Sequence, residues 1–288
     1  MKNYFIIIPV YNDNKSLNKL LFKLNKYLCS LNGKINILVI NDYSTESILI
    51  KKNLNKLNSI KIINLKKNVG SQKAIYIALK YLEKFKKKSN ISIMDSDGED
   101  NPKKLKKLII KSIRKTNAIV VANRFKRKES LVLRSLNRIR LIITFVITGQ
   151  YINFGNFSSF SSDNLIKILR NKNLWFAYSG GVKKNTKKII YINIEKEKRY
   201  YDKSKVNLKF LLLHSLKIIS IFKNQIFFRS IVLIIFLFLT IKEKFFFNSF
   251  VLLIITLNIF IFGFYQFHNL NFNPLNLIKS IKKINNNR

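Results

Sequence analysis

Ile91-Ser92-Ile93-Met94-Asp95-Ser96-Asp97-Gly98-Glu99-Asp100-Asn101-Pro102 is the stretch from which the rest of the chain is read. Its first residues are short, apolar and isoleucine-rich, as a strand buried on both faces is. Four carboxylates then fall between Asp95 and Asp100 in a chain that has only 14 Asp and Glu against 54 Lys and Arg. Like charges that close repel unless something positive is held among them. A solvated acidic turn is the bland alternative. Pro102 suits the first turn of a following helix, predicted over Lys103 to Arg114.

The same unit recurs outward from that stretch. Tyr4 to Val10, Ile35 to Ile40, Ile60 to Leu65 and Ala118 to Ala122 are further short runs rich in Ile and Val. Leu17, Leu20, Leu21, Leu24 and Leu28 lie between the first two at helical spacing, with Ser16 as the expected cap, and Ser71 to Phe85 reads as another crossover helix. Strands alternating with helices give a parallel α/β sheet, whose ligands bind beyond the carboxyl ends of the strands. Polar residues stand there in series: Pro9-Val10-Tyr11-Asn12, Asn41-Asp42-Tyr43-Ser44-Thr45-Glu46, Asn68-Val69-Gly70, and Asp95-Ser96-Asp97. Any one alone would pass for a turn. In order they mark a site.

This series resembles the GT-A domain of family 2 glycosyltransferases, over roughly residues 1 to 220, and is most similar to polyprenyl-phosphate sugar transferases of the dolichol-phosphate mannose synthase type. Pro9 to Asn12 match the family's opening, with Asp13 for the usual Glu. Asn41 to Glu46 match its Asp-Asp-Gly-Ser-Thr-Asp loop, departing at Asn41 and Tyr43. Asp95 to Pro102 resemble its Asp-Ala-Asp-Leu-Gln-Asp-Pro-Pro run, which holds the DxD motif.

The resemblance implies a donor site of Pro9, Tyr11, Asn12, Asp42, Asn68, Gly70, Asp95 and Arg134, with Asp42 on the nucleotide base. It implies Mg²⁺ or Mn²⁺ on Asp97 and Glu99. A hard cation held by carboxylates would neutralise the departing diphosphate. Arg124 would face that diphosphate, with Arg134 or Arg138 assisting, since guanidinium groups bind phosphate oxygens in pairs. Asn156 stands in Gly155-Asn156-Phe157-Ser158, which resembles the Gly-Asp-Phe-Arg acceptor loop. Asp97, Arg124 and Asn156 are the catalytic candidates. Losing the carboxylate at 156 suits an acceptor that is already an anion, as a lipid phosphate with second pKa about 6 would be. Arg199, Ser204 and Lys205, in a stretch resembling Arg-x-x-Gly-x-Ser-Lys with Asp202 for Gly, would grip that phosphate.

Composition bounds the partners. A formal charge of +40 attracts polyanions, although the lysines are spread along the chain rather than gathered in a tract. No aromatic-basic recognition module accompanies the charge, so no nucleic-acid partner is expected. Cys29 is the only cysteine, which fits a reduced compartment. The apolar run at Phe5 to Ile8 is too short for a secretory leader. His214 and His268 make poor metal ligands by position, and Trp175 lies outside any Gln-x-x-Arg-Trp motif of a processive synthase.

From Phe227 the chemistry changes. Phe227 to Ile241 and Phe245 to Phe267 are almost wholly apolar apart from Arg229, which would snorkel, and only Lys242, Glu243 and Lys244 divide them. Val206 to Ile221, preceding them, mixes Leu and Ile with lysines as an interfacial helix does.

The expected architecture is an α/β GT-A domain at 1–200, an interfacial helix region at 201–224, a transmembrane helical hairpin at 225–268 and a basic cytoplasmic tail at 269–288. The expected place is the inner (plasma) membrane, multi-pass, with the catalytic domain in the cytoplasm. The expected reaction is metal-assisted inverting transfer of a sugar from a UDP- or GDP-linked donor to undecaprenyl or a similar polyprenyl phosphate, among membrane lipids. Rival readings are transfer to a hydroxyl of a cell-surface polysaccharide or glycolipid, and a non-enzymatic basic membrane or nucleic-acid-binding protein. Homo-oligomer formation is left open.

Overall fold

The structure is a computed structural model that describes residues 2–51, 54–85, 88–125, 131–170, 172–201, 208–268 and 273–285, with backbone alone described at 124–125, 131–134, 208–210 and 285. The chain forms two compact units. The first comprises Met1–Glu129, Asn153–Lys205 and Asn273–Arg288; the second comprises Ser130–Ile152 and Val206–Phe272.

The first unit is built on a sheet of β1 (Asn3–Val10), β2 (Lys34–Asn41), β3 (Ser59–Leu65), β4 (Asn90–Ile93), β5 (Ile119–Phe125), β6 (Phe154–Ser161), β7 (Ile189–Glu195) and β8 (Ile278–Asn285). Their spatial order is β7-β5-β6-β4-β1-β2-β3-β8. β1, β2, β3 and β4 run parallel, as do β5 and β7, whereas β6 and β8 are antiparallel to their neighbours. β2 and β3 extend from one side of β1 while β4 lies on the other, so strand order reverses at β1. A crevice opens at such a reversal. The carboxyl ends of β1 and β4 border it.

Alternation along the central strands sends side chains to both faces. Ile6, Ile8, Ile37 and Val39 join the leucines of α1 (Asn14–Tyr27) and Leu105, Leu108 and Ile109 of α3 (Pro102–Arg114) in one buried core. The opposite face carries Ile7 and Leu38, both buried, and α2 (Ser71–Glu83) packs against β1 and β2 with Ala74, Ile75, Ala78 and Leu79 buried. Two differences from the sequence reading have local causes. The cap of α1 is Asp13, whose side chain accepts from the Ser16 N–H; Ser16 itself is buried. The basic tail is not free: β8 pairs antiparallel with β3, aligning Ile60 with Ile284 and Ile63 with Ile281. Ile284 packs against the core.

The second unit holds α4 (Leu131–Thr148), α8 (Leu208–Ile221), α9 (Lys223–Thr240) and α10 (Lys244–His268). α9 and α10 are long and apolar enough to cross a membrane, and only 6% of each apolar window is buried, unlike the core helices of a soluble domain. Phe228, Leu239, Phe245 and Phe267 are exposed. A polar link, Asn258 Nδ2 donating to Ser230 Oγ at 2.8 Å, joins the two helices. Arg229 is exposed, and its Nη2 donates to the Val146 carbonyl at 3.0 Å, near the end of α4. Guanidinium against terminal carbonyls is favourable because those carbonyls lack helical partners.

Candidate active site

The carboxyl ends of β1 and β2 are tied together by their own polar residues. Asn12 Oδ1 accepts from the Thr45 N–H at 2.9 Å, while the Asn12 N–H donates to Ser44 Oγ at 3.0 Å. Asn12 has φ +49°, a left-handed conformation that asparagine tolerates. Asp42 reaches the loop after β3: its two carboxylate oxygens accept from the N–H groups of Val69 and Gly70, each at 2.8 Å. Burial raises the Asp42 pKa, and the two N–H bonds work against that rise. Asp42 and Gly70, expected together, are therefore joined directly; Asn68 is exposed beside them, as is Tyr11 beside Asn12, and Pro9 is buried within β1.

Both departures in the loop after β2 have structural readings. Asn41 Nδ2 donates to Asn64 Oδ1 at 2.8 Å while its Oδ1 accepts from the Ser44 N–H at 2.9 Å. An ionised Asp could only accept. Tyr43, where the family pattern has Gly, has φ +64° and an exposed side chain. A left-handed backbone costs a residue with a Cβ about 1–2 kcal/mol. Tyr43→Gly is therefore expected to leave the fold intact and raise the thermal midpoint by a few degrees; an unchanged or lower midpoint would count against this account.

The acidic turn after β4 is organised as a unit. The Asp95 N–H donates to Asp100 Oδ2 at 3.1 Å, Asp97 Oδ1 accepts from the Glu99 N–H at 3.0 Å, and Gly98 turns the chain at φ +89°. Asp95 Oδ1 also accepts from Asn156 Nδ2 at 3.0 Å, which brings β6 to the turn. Asn156 Oδ1 accepts from Gln72 Nε2 at 3.1 Å, and Gln72 Oε1 accepts from the Tyr178 N–H at 2.6 Å. The Asn156 amide is thus held at both ends, and it is buried. Gln72 was missed from sequence; its place in the first turn of α2, just past Gly70, was the available signal.

Arg199, expected at an acceptor phosphate, meets the acidic turn instead. Its Nη2 and Nε stand 2.6 and 3.1 Å from Asp97 Oδ2, and Nε is 3.6 Å from Glu99 Oε1. Lys196 Nζ lies 2.9 Å from Glu99 Oε2. Burial works to lower the Arg199 pKa, but the hydrogen bond and charge of Asp97, with the charges of Glu99 and Asp13, carry it upward. The partner could not be read from sequence, being 102 positions away. Arg124 lies on β5 opposite Ile194 of β7, and Arg134 lies in α4 of the second unit. Ser204 and Lys205 lie outside the described residues.

Mg²⁺ or Mn²⁺, which the family resemblance implies, requires hard oxygen ligands. Asp97 and Glu99 offer carboxylates that already converge on one cation, the Arg199 guanidinium. Among the described residues no group of three or more His, Cys, Asp or Glu converges. The remaining ligands would come from phosphate and water, as is usual where one or two carboxylates hold Mg²⁺. On donor type and convergence the residues fit such an ion.

The sequence model described as "Glycosyl transferase family 2" matches residues 5–179, from β1 through the acidic turn and Asn156 to Ser179. The chain belongs to glycosyl transferase family 2. As a member of that family it is a hexosyltransferase, built on the α/β, mostly parallel sheet typical of GT-A domains. No curated protein matches the sequence. Among solved structures, a crystal structure of a mycobacterial protein is similar at TM-score 0.53 and 11% identity, over 78% of this chain and 74% of that one. Glucosyl-3-phosphoglycerate synthase from Mycobacterium tuberculosis, with Mn²⁺, UDP-glucose and phosphoglyceric acid, is similar at TM-score 0.51 and 12% identity, over 78% and 80%. S. aureus TarS 1-349 gives TM-score 0.45 and 18% identity, over 78% and 71%. At these identities the likeness is one of fold. The family 2 site therefore rests on this chain's own residues at the β1, β2 and β4 ends.

Proposed function

We propose that this family 2 glycosyltransferase moves a sugar from a nucleotide diphosphate donor to a polyprenyl phosphate at the cytoplasmic face of a membrane, with inversion at the anomeric carbon. The observation that carries the acceptor is the locked amide of Asn156. Its oxygen is taken by Gln72 and its nitrogen by Asp95, in the position where the family's acceptor loop has a carboxylate. An amide so held takes up no proton, so an attacking hydroxyl would lack a base there. A phosphate monoester brings its own negative oxygen, since its second pKa is about 6.

In this reading one acceptor phosphate oxygen forms the new bond to the anomeric carbon as the bond to the donor diphosphate breaks. A divalent ion on Asp97 and Glu99 would supply charge neutralisation for the leaving diphosphate. Asp42 would orient the nucleotide through the loop it fixes at Val69 and Gly70. Asp95, aimed by Asn156, would hold the nucleoside side of the donor, and Arg124 would face the phosphates. A uridine donor accords with the UDP-glucose complex of the Mycobacterium tuberculosis synthase.

The membrane placement is supported by the two exposed apolar helices, α9 and α10. It is supported also by β8, because the chain preceding 206 and the chain following 272 share one sheet. In this reading both flanks of the hairpin lie on one side of the membrane, as an even number of crossings gives. The basic residues of β8 suit the cytoplasmic side, whereas Lys242 and Lys244 in the outer turn do not.

The deciding experiment offers purified protein in lipid bicelles a labelled UDP- or GDP-sugar with polyprenyl phosphate, or with hydroxyl-bearing glycolipid acceptors. Label should pass to the lipid phosphate; transfer to hydroxyl acceptors alone would replace the proposal. A variant sharpens the test. Asn156→Asp replaces the amide donor to Asp95 with a second carboxylate, so the like charges repel and donor affinity should fall about tenfold at neutral pH, recovering as pH is lowered and the pair takes up a proton. Gain of hydroxyl-acceptor activity in that variant would argue for the rival reading.

A further inference from the structure

Four of the contacts at the acidic turn come from one short segment, residues 196–200. Besides Lys196 on Glu99 and Arg199 on Asp97, the Glu197 N–H donates to the Glu99 carbonyl and the Tyr200 N–H to the Asp97 carbonyl, each at 2.9 Å. Asn101 Nδ2 adds a bond to Glu197 Oε1 at 3.0 Å. In so basic a chain some cation would drift to any carboxylate. Here two cations are delivered in register by a backbone ladder, which long surface side chains would not need.

Resting on the metal-dependent reading above, we propose that Arg199, supported by Lys196, is a built-in counter-cation of the Asp97–Glu99 pair, which an incoming divalent ion must displace. The segment 196–200 then acts as a cover over the metal ligands. Arg199 is a positioning residue in this scheme, acting through the carboxylates it occupies.

A second feature of the segment points to a cover that lifts. The Tyr200 ring lies over Gly98, so close that a Cβ there would stand 2.6 Å from ring carbons, and Lys19 and Lys23 sit above the ring at 5.0 and 4.4 Å from its centre. The Tyr200 hydroxyl is buried with no hydrogen-bond partner among the described residues. Its pKa is pushed up to about 12, by burial first and then by neighbouring Tyr27, Asp97 and Glu197. A buried donor without an acceptor costs about 1–3 kcal/mol. Lifting the segment returns that hydroxyl to water or to a new partner. The closed arrangement therefore carries a penalty that metal entry relieves.

Occupation by Arg199 lowers apparent metal affinity by the fraction of time the cover is closed. Replacing the guanidinium by an apolar chain of similar length should raise affinity for Mn²⁺. The experiment titrates full-length protein in detergent with Mn²⁺ alone and follows free Mn²⁺ by electron paramagnetic resonance. Arg199→Met is expected to bind Mn²⁺ several-fold more tightly than the parent, Arg199→Lys about as the parent does, and Lys196→Met to show a smaller gain. Asp97→Asn should lose the binding. If Asp97→Asn loses it but Arg199→Met and Lys196→Met bind no more tightly than the parent, the counter-cation is refuted while the metal reading survives. If Asp97→Asn binds as the parent does, both fall. Thermal melting of each variant identifies any that fail to fold; Lys196→Met carries the test should Arg199→Met be one of them.

Discussion

Asp97→Asn will reduce sugar transfer by about 10³-fold or more at saturating donor, the scale expected when a group that neutralises a leaving diphosphate is lost. The substitution is chosen for what it leaves in place. An asparagine oxygen can still accept the Glu99 N–H that Asp97 Oδ1 receives at 3.0 Å, so the turn keeps its shape. What disappears is the negative charge that faces Arg199 at 2.6 Å. The circular dichroism spectrum should be that of the parent. Full activity in a correctly folded Asp97→Asn protein would remove the acidic turn from the chemistry.

Asp42→Ala ranks second, and its effect should appear in binding. The Asp42 carboxylate accepts from the Val69 and Gly70 N–H groups, both at 2.8 Å. Alanine leaves two backbone donors without an acceptor, at about 1–3 kcal/mol each where they remain buried. The loop between β3 and α2 loosens, and nucleotide affinity measured by calorimetry should fall about 100-fold, or roughly 2.7 kcal/mol. Asp42→Asn should do little better, because only one end of an amide accepts and its NH₂ would confront a second N–H. Wild-type nucleotide affinity in Asp42→Ala would detach this loop from donor binding.

The part of the fold that surrounds these residues was readable because it obeys simple local rules. β1, β2, β3 and β4 are short, Ile-rich and buried on both faces, and each ends in polar residues, so the runs and their ends coincide in sequence. β6 escaped the reading because it is poor in aliphatic residues: Phe154-Gly155-Asn156-Phe157-Ser158-Ser159-Phe160-Ser161 buries hydroxyls. Those hydroxyls are satisfied across elements, as Ser159 Oγ is by Asn90 Oδ1 at 2.8 Å. β8 escaped for another reason. Its isoleucines, Ile278, Ile281 and Ile284, are spaced by three, a helical period, and its pairing with β3 shifts register between Asn64 and Leu65. The site divides the same way. Asp42, Asp95, Asp97 and Gly70 follow from strand ends, whereas Gln72 behind Asn156 and Arg199 on Asp97 depend on distant segments meeting.

β8 is translated after both apolar helices, yet it completes the edge of a sheet whose β1, β2 and β3 are made long before it. Until it emerges from the ribosome, β3 displays a row of bare amide and carbonyl groups, a template for wrong partners. Completion of the first unit therefore waits on synthesis of the two apolar helices of the second. A nascent chain stalled between His268 and Ile278 would carry both apolar helices and a bare β3 edge, which makes that interval a point of exposure to wrong partners.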